Sequence, residues 1–316
     1  MLLFAEYAVV ASFVVWFSIK ASQYIDMLDR TTRLSGAFLG GVLLSAVTSL
    51  PELFTSISAT VLLDKPSLCI GNILGSNIFN LAVLALLGVV AIRDFRYATI
   101  SRGNISVTAF VAFVYVALIL NYFHIFDFEF ATINIVTFVI VAFYVAGVRY
   151  LATDCGEKCN CGKCVTLSVR QIAVRFTAVS IGIVVLSVLM TYITDDIAER
   201  YNIGMGMAGA IFLGVATSLP EVSSTIALFR MKNYNVAVGN IVGSNLFNFL
   251  VLCIADVMCI WQSVYDYTDT NVVNLLVYGS VATVAVLSAL RSRRLSVRIV
   301  CLAAAVGCYF AFLSAN

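Results

Sequence analysis

Histidine, proline and charge are the scarce commodities of this sequence. Its 316 residues include one histidine, His124, and three prolines, and only 11% are charged against 61% hydrophobic. So little charge excludes a soluble globular chain, and a mean hydropathy of +1.00 fits one embedded in a bilayer. His124 falls in a connection between apolar runs, and no nucleophile–base set stands at membrane depth, which argues against an enzyme. The net charge of +2 is spread along one membrane face, so no basic stripe invites nucleic acid. With proline this rare, its placement carries information: two of the three lie inside a repeated motif.

Ten apolar runs are long enough to span as helices, near 3–24, 36–62, 69–91, 104–121, 130–149, 170–193, 205–229, 237–261, 271–290 and 297–314. Lipid offers no partner for unpaired backbone groups, so the expectation is an all-α membrane protein. The first run lacks a charged leader and a cleavage-like site, and reads as a span. Of the 19 Lys and Arg residues, 16 fall in the connections after runs 1, 3, 5, 7 and 9 or at their edges. Asp127, Glu129, Asp195, Asp196, Glu199, Asp266 and Asp269 fall on the other side. The positive-inside rule then predicts a multi-pass protein of the cell membrane with both termini extracytoplasmic. Its expected partners are the lipid bilayer and inorganic cations; no obligate protein partner is evident.

The chain is organised around a stretch that occurs twice. Thr48-Ser49-Leu50-Pro51-Glu52 returns as Thr217-Ser218-Leu219-Pro220-Glu221, 169 residues later. Each copy precedes a second repeated block, Gly71-Asn72-Ile73-Leu74-Gly75-Ser76-Asn77-Ile78-Phe79-Asn80 and Gly239-Asn240-Ile241-Val242-Gly243-Ser244-Asn245-Leu246-Phe247-Asn248, offset by 168. Five spans separate equivalent positions, so the two halves run antiparallel. The predicted architecture is ten helices in two inverted five-helix repeats with helices 2 and 7 broken. The repeats are placed at 1–150, with its motif at 40–80, and at 170–316, with its motif at 209–248, joined by a cytoplasmic Cys-rich loop at 151–169.

A glutamate inside an apolar run is costly unless something pairs with it. Pro51 and Pro220 leave the carbonyls of Val47 and Ala216 without their helical donors. Such breaks are tolerated at mid-membrane where they line a cavity or an ion site. Hard cations want oxygen, and the repeats supply carboxylate, hydroxyl, amide and carbonyl but no soft ligand. Two glutamates bring a charge that one Ca2+ neutralises. Hydroxyls of Ser49, Ser76, Ser218 and Ser244 suit smaller monovalent ions such as Na+. Packing by small residues accounts for a serine or a glycine; it does not account for Glu52 and Glu221 in identical contexts on antiparallel spans. Asp256 has no acidic counterpart, since Gly88 stands at the equivalent place, and it reads as an interfacial carboxylate, with a group at the entrance to the site as the alternative.

A separate feature is Cys155, Cys159, Cys161 and Cys164, within ten residues on the inner face. Four thiols suit a soft metal such as Zn2+, although the spacing is not one of the usual zinc pairs, and a reduced loop without metal is the alternative.

The paired blocks T-S-L-P-E and G-N-x-x-G-S-N-x-F-N resemble the two repeats of the sodium/calcium exchanger family, in the cation/calcium antiporter superfamily, and the resemblance runs along essentially the whole chain. It implies a secondary active antiporter that exchanges Ca2+ for Na+ by alternating access at a central two-glutamate site. It implies Glu52 and Glu221 as the main Ca2+ ligands, helped by the carbonyls of Thr48 and Thr217. It also implies flanking Na+ sites from Ser49, Ser76, Ser218 and Ser244 with the carbonyls of Ser45 and Gly214, and a central ring completed by Asn80 and Asn248. Many exchangers have aspartate where this chain has Asn248, which argues against the potassium-dependent branch. The short central loop fits a compact prokaryotic type. The rival readings are a Ca2+/H+ antiporter, in which two carboxylates swap one Ca2+ for protons, and a channel-like or Ca2+-sensing membrane protein.

Overall fold

A computed structural model describes residues 2–32, 34–62, 66–125, 129–130, 133–153, 167–200, 214–258, 264–265 and 270–315. Its helices are α1 (Leu2–Thr31), α2 (Ser45–Thr48), α3 (Leu50–Ile57), α4 (Pro66–Val90), α5 (Arg102–Tyr122), α6 (Ile135–Thr153), α7 (Val169–Arg200), α8 (Gly214–Thr217), α9 (Leu219–Arg230), α10 (Tyr234–Met258), α11 (Thr270–Arg291) and α12 (Leu295–Ala315). Short turns at Gly36–Phe38 and Ile92–Phe95 and wide π-type turns at Leu39–Leu44 and Ser58–Leu62 complete the helical set. Nine stretches of the described residues are long and apolar enough to cross a membrane. The tenth contains α8 and α9, and its upstream part lies outside the described residues.

Several boundaries differ from the apolar runs, for physical reasons. α1 continues well past residue 24, because the end of an apolar run marks the end of lipid and not of the helix. Its polar last turns are supported by an Asp26–Arg30 ion pair at 2.9 Å, four residues apart. α6 starts later than residue 130, because Glu129–Phe130 and Ile133–Asn134 pair as a two-residue antiparallel hairpin, the one departure from an all-helical fold among the described residues. α7 opens on a reciprocal cap: the Gln171 backbone N–H donates to the Ser168 hydroxyl at 3.3 Å, and Gln171 Oε1 accepts from the Ser168 N–H at 3.0 Å. Ser101 caps α5 by accepting from the Asn104 N–H at 3.1 Å.

The equivalent helices α4 and α10 sit at the centre and pack on each other; their counterparts α1 and α7 pair along one side. Close approach of backbone to backbone joins the segmented second span to α10. A Cβ on Gly243 would overlap the Gly41 carbonyl, and one on Gly40 would overlap the Val236 carbonyl, so only glycine fits. Tyr115 of α5 packs edge-on to Phe249 of α10, with ring centroids 5.2 Å apart, and fills the space over Gly279. Outward-facing side chains such as Phe113, Val300 and Phe310 are exposed, as lipid-facing positions are.

The connections fall on two opposite ends as an inverted repeat requires. At one end, Lys232 pairs with Asp94 at 2.7 Å, Asn233 Nδ2 donates to Asp26 Oδ1 and Asp29 Oδ2 at 3.0 Å each, and Arg298 Nη1 donates to the Phe95 carbonyl at 3.1 Å. The Lys232 ammonium, outside the spans, is held above its usual pKa by that Asp94 carboxylate. At the other end, Asp256 Oδ2 accepts from the Thr137 hydroxyl at 2.7 Å and from the Asn134 N–H at 3.2 Å. Asp256 is buried among protein groups rather than solvated: it anchors the start of α6 and the hairpin before it, a role with no local signal in the sequence.

Candidate functional site

The two broken helices meet α4 and α10 at mid-bundle. Each break falls on a serine in the sparsely populated region near ψ 0: Ser49 at φ −91, ψ 6, and Ser218 at φ −84, ψ 1. The i to i−4 ladder resumes on either side, with Ser49 N–H to Ser45 O at 3.0 Å and Ser218 N–H to Gly214 O at 3.2 Å. The prolines two residues later have no N–H to give. Each break therefore presents the carbonyl end of α2 or α8 and the amino end of α3 or α9 to the same region. Glu52 and Glu221 lie in the first turns of α3 and α9, where the helix dipole favours negative charge.

The side chains then cross between the halves. The Ser49 hydroxyl lies 2.9 Å from Glu221 Oε1 and 2.8 Å from the Ser244 hydroxyl, and Ser244 lies 3.2 Å from the same carboxylate oxygen. In the mirror position the Ser218 hydroxyl donates to Glu52 Oε1 at 3.2 Å. Ser76 reaches the Gly214 carbonyl at 3.5 Å. All of these side chains are buried, and neither glutamate has a Lys or Arg partner among the described residues.

Asparagines hold α4 against α10. Asn77 Nδ2 donates to the Asn245 carbonyl at 3.4 Å and Asn245 Nδ2 returns the bond to the Asn77 carbonyl at 3.1 Å. Asn80 Nδ2 donates to Asn245 Oδ1 at 3.2 Å, and Asn248 Nδ2 to Asn77 Oδ1 at 2.9 Å. With their amide nitrogens committed, Asn80 and Asn248 each keep an oxygen that accepts nothing. Nine buried side-chain oxygens among the described residues share this condition, and two carboxylate and two amide oxygens of the predicted ring are among them: Glu52 Oε2, Glu221 Oε2, Asn80 Oδ1 and Asn248 Oδ1. Buried acceptors without donors are uncommon and call for an explanation.

Most of the residues singled out from sequence thus converge. Thr48 and Thr217 direct their hydroxyls back into their own segments, Thr48 to the Leu44 and Ser45 carbonyls and Thr217 to that of Gly214. The Ser45 and Gly214 carbonyls accept hydrogen bonds within the breaks, and the Ser45 hydroxyl donates to the Gly41 carbonyl at 2.8 Å. Cys155, Cys159, Cys161 and Cys164 lie outside the described residues. Sequence reasoning gave no role to Asn77 and Asn245, which orient the ring asparagines; the signal was there, since each stands three residues before its ring asparagine and so shares its helix face. It also missed Asn240, whose Nδ2 lies 2.8 Å from the Ser224 hydroxyl and 3.0 Å from that of Thr225.

Comparison with known proteins gives the family and the fold. The family described as sodium/calcium exchanger protein matches residues 5–152 and 172–315. The inner membrane protein YrbG of Escherichia coli (strain K12) is 26% identical over 242 residues, 72% of this chain and 70% of YrbG. Among solved structures, the sodium-calcium exchanger NCX_Mj soaked with 2.5 mM Na+ and 0.1 mM Sr2+ superposes with a TM-score of 0.74 at 18% identity, over 98% of each chain. The same exchanger soaked with 10 mM Na+ and zero Ca2+ gives 0.72 at 19% identity, over 99% of this chain and 98% of that one. At such identities these structures speak for the fold, an inverted repeat of membrane helices.

Proposed function

This chain belongs to the sodium/calcium exchanger family, and from that premise we propose that it exchanges Ca2+ for Na+ by alternating access at the buried site between its two halves. The observation that carries the reading is that, among the donor-less buried oxygens, two carboxylate and two amide oxygens come in equivalent pairs from the repeated motifs, Glu52 and Glu221 on α3 and α9 and Asn80 and Asn248 on α4 and α10. Buried oxygens without donors are what a hard divalent cation requires. Glu52 and Glu221 supply the charge that balances Ca2+, and the carbonyls of Thr48 and Thr217 stand at the ends of the broken segments beside them. Ser49, Ser76, Ser218 and Ser244 supply neutral oxygens for Na+.

The serine cluster supports a monovalent ion on a second ground. Ser49, Ser244 and Glu221 Oε1 are mutually within 2.8 to 3.2 Å, and two hydroxyl protons cannot fill three contacts. Na+ among these oxygens relieves the third. A proton on Glu221 fills it equally well, as a Ca2+/H+ antiporter would arrange, so the choice of counter-ion rests on gradient dependence. In this reading the end that carries Lys232, Arg298 and the Asn233 bridge is cytoplasmic, which leaves both termini outside. The halves divide at 1–150 and 170–316 about a cytoplasmic loop at 151–169.

Equilibrium binding tests the site. Ca2+ titrated into purified protein is expected to bind, to be displaced by Na+, and to be lost in Glu221→Gln. Undiminished Ca2+ binding in that variant would put the ion elsewhere.

A further inference from the structure

The two halves repeat in sequence, but one pair of equivalent residues is bonded differently. Asn240 of α10 and Asn72 of α4 occupy the same place in the repeated block. Asn240 Nδ2 is tied to the Ser224 hydroxyl at 2.8 Å, the Thr225 hydroxyl at 3.0 Å and the Glu221 carbonyl at 3.3 Å. Ser224 in turn donates to the Glu221 carbonyl at 2.9 Å. This cluster pins the backbone of a site glutamate and fills the space between α9 and α10 on the Arg230 side of the site. Its own Oδ1 is the one atom of that amide left over.

Asn72 makes none of these bonds. Both its Nδ2 and its Oδ1 lack a partner, as does the hydroxyl of Ser56, which corresponds to Thr225. Asn72 is 1% exposed and Ser56 0%. A buried amide with both ends unsatisfied is expensive, on the order of 1–3 kcal/mol for each lost group. The sequence is not the cause, because near-identical residues bond the amide nitrogen of Asn240 in the other half. The difference lies in what each amide meets: Asn240 Nδ2 has the Ser224 and Thr225 hydroxyls at 2.8 and 3.0 Å, and Asn72 has no partner. On the Arg230 side a second tie agrees with closure, since Asn233 bridges to Asp26 and Asp29 of α1.

We propose that Asn72 and Asn240 are the gate residues of the two ion paths to the glutamates, with the Asn240 path shut in this structure and the Asn72–Ser56 path lined to pass a hydrated cation. In an inverted repeat, each half adopts in one state the arrangement the other half holds in the opposite state. The Asn240 cluster therefore opens as Asn72 closes onto Ser56, and the two locks exclude each other. On the way in, Asn72 and Ser56 exchange hydrogen bonds with the hydration shell of the cation before Glu52 takes it. This rests on the exchanger reading for the identity of the cargo; the alternation itself does not depend on which cation moves.

Hydrogen–deuterium exchange of the full-length protein in proteoliposomes tests it without reading any flux. Removing the Asn240 amide destabilises the state seen here, so Asn240→Ala shifts the population to the opposite one. The expected result is faster exchange at amides 222–230 together with slower exchange at 53–60, each by about fivefold, the effect of roughly one net hydrogen bond. Asn72→Ala is expected to give the reverse pattern. Thr225→Val, which removes a single acceptor, is expected to give the Asn240→Ala pattern more weakly and serves if that variant does not fold. Faster exchange at 222–230 with no slowing at 53–60, or no change in either, overturns the proposal and leaves Asn240 a packing residue. Loss of Ca2+ dependence in separate flux measurements, with the reciprocal exchange pattern intact, would overturn the cargo and not the gates.

Discussion

Ser49 of the first half donates its hydroxyl to Glu221 of the second at 2.9 Å, across 172 residues of sequence. The mirror pair, Ser218 and Glu52, stands at 3.2 Å. Each carboxylate is therefore held by the break of the opposite repeat and not by its own, so neither half forms a complete site alone. That crossing decides how the site responds to substitution.

Glu52→Gln and Glu221→Gln keep size and remove one of the two charges. Breaking a buried charge arrangement commonly costs roughly 3–5 kcal/mol, on the order of a hundredfold or more in affinity. Either change is expected to abolish Ca2+ uptake into proteoliposomes while the protein still elutes as a folded species. Uptake at wild-type rates in either variant would remove that glutamate from the site.

The serines are expected to differ from the glutamates and from each other. Ser49 touches both Glu221 and Ser244, whereas the Ser218 hydroxyl bonds Glu52 alone among the described side chains. Ser49→Ala should therefore raise the Na+ concentration needed for half-maximal exchange more than Ser218→Ala does, by about tenfold if a hydrogen bond to a charged group is worth roughly 1.5–3 kcal/mol. Ca2+ affinity should move less in both. Equal, large losses of Ca2+ affinity would mean that the hydroxyls serve the divalent ion.

Close packing of the second span on α10 makes Gly243 intolerant of any side chain. Gly243→Ala places a methyl against the Gly41 carbonyl, and overpacking of this kind costs about 1–3 kcal/mol. The expected outcome is a lower unfolding temperature in detergent, with Gly307→Ala on α12, where a Cβ meets nothing within 4 Å, as the silent comparison.

Orientation is testable with tags. An epitope inserted near residue 160 should be reached by antibody only from the cytoplasm, and tags at the two termini only from outside. Termini on opposite sides of the membrane would contradict the even number of spans.

Much of this was legible in the sequence, for identifiable reasons. Apolar runs report the membrane, so the spans were found, but they do not report where a helix stops: α1 runs on to Thr31 because Asp26 and Arg30 support its polar end. Duplication revealed the equivalence of Glu52 and Glu221. It did not reveal that Ser49 faces Glu221 and not Glu52, three residues away in its own segment, because partners across a repeat interface leave no local spacing. Asp256 looked interfacial because a lone carboxylate near a span end ordinarily is; its burial depends on Thr137 and Asn134, more than a hundred residues away. Nor does a repeated asparagine disclose that its two copies are bonded differently.

The central claim is exchange of Ca2+ against Na+ at the two-glutamate site, and one measurement bears on it most directly: radiolabelled Ca2+ uptake into proteoliposomes under an outward Na+ gradient and, separately, under an outward proton gradient at equal membrane potential. The account predicts uptake that follows the Na+ gradient, ignores the proton gradient and disappears in Glu52→Gln and Glu221→Gln. Uptake that follows the proton gradient and is indifferent to Na+ would contradict it.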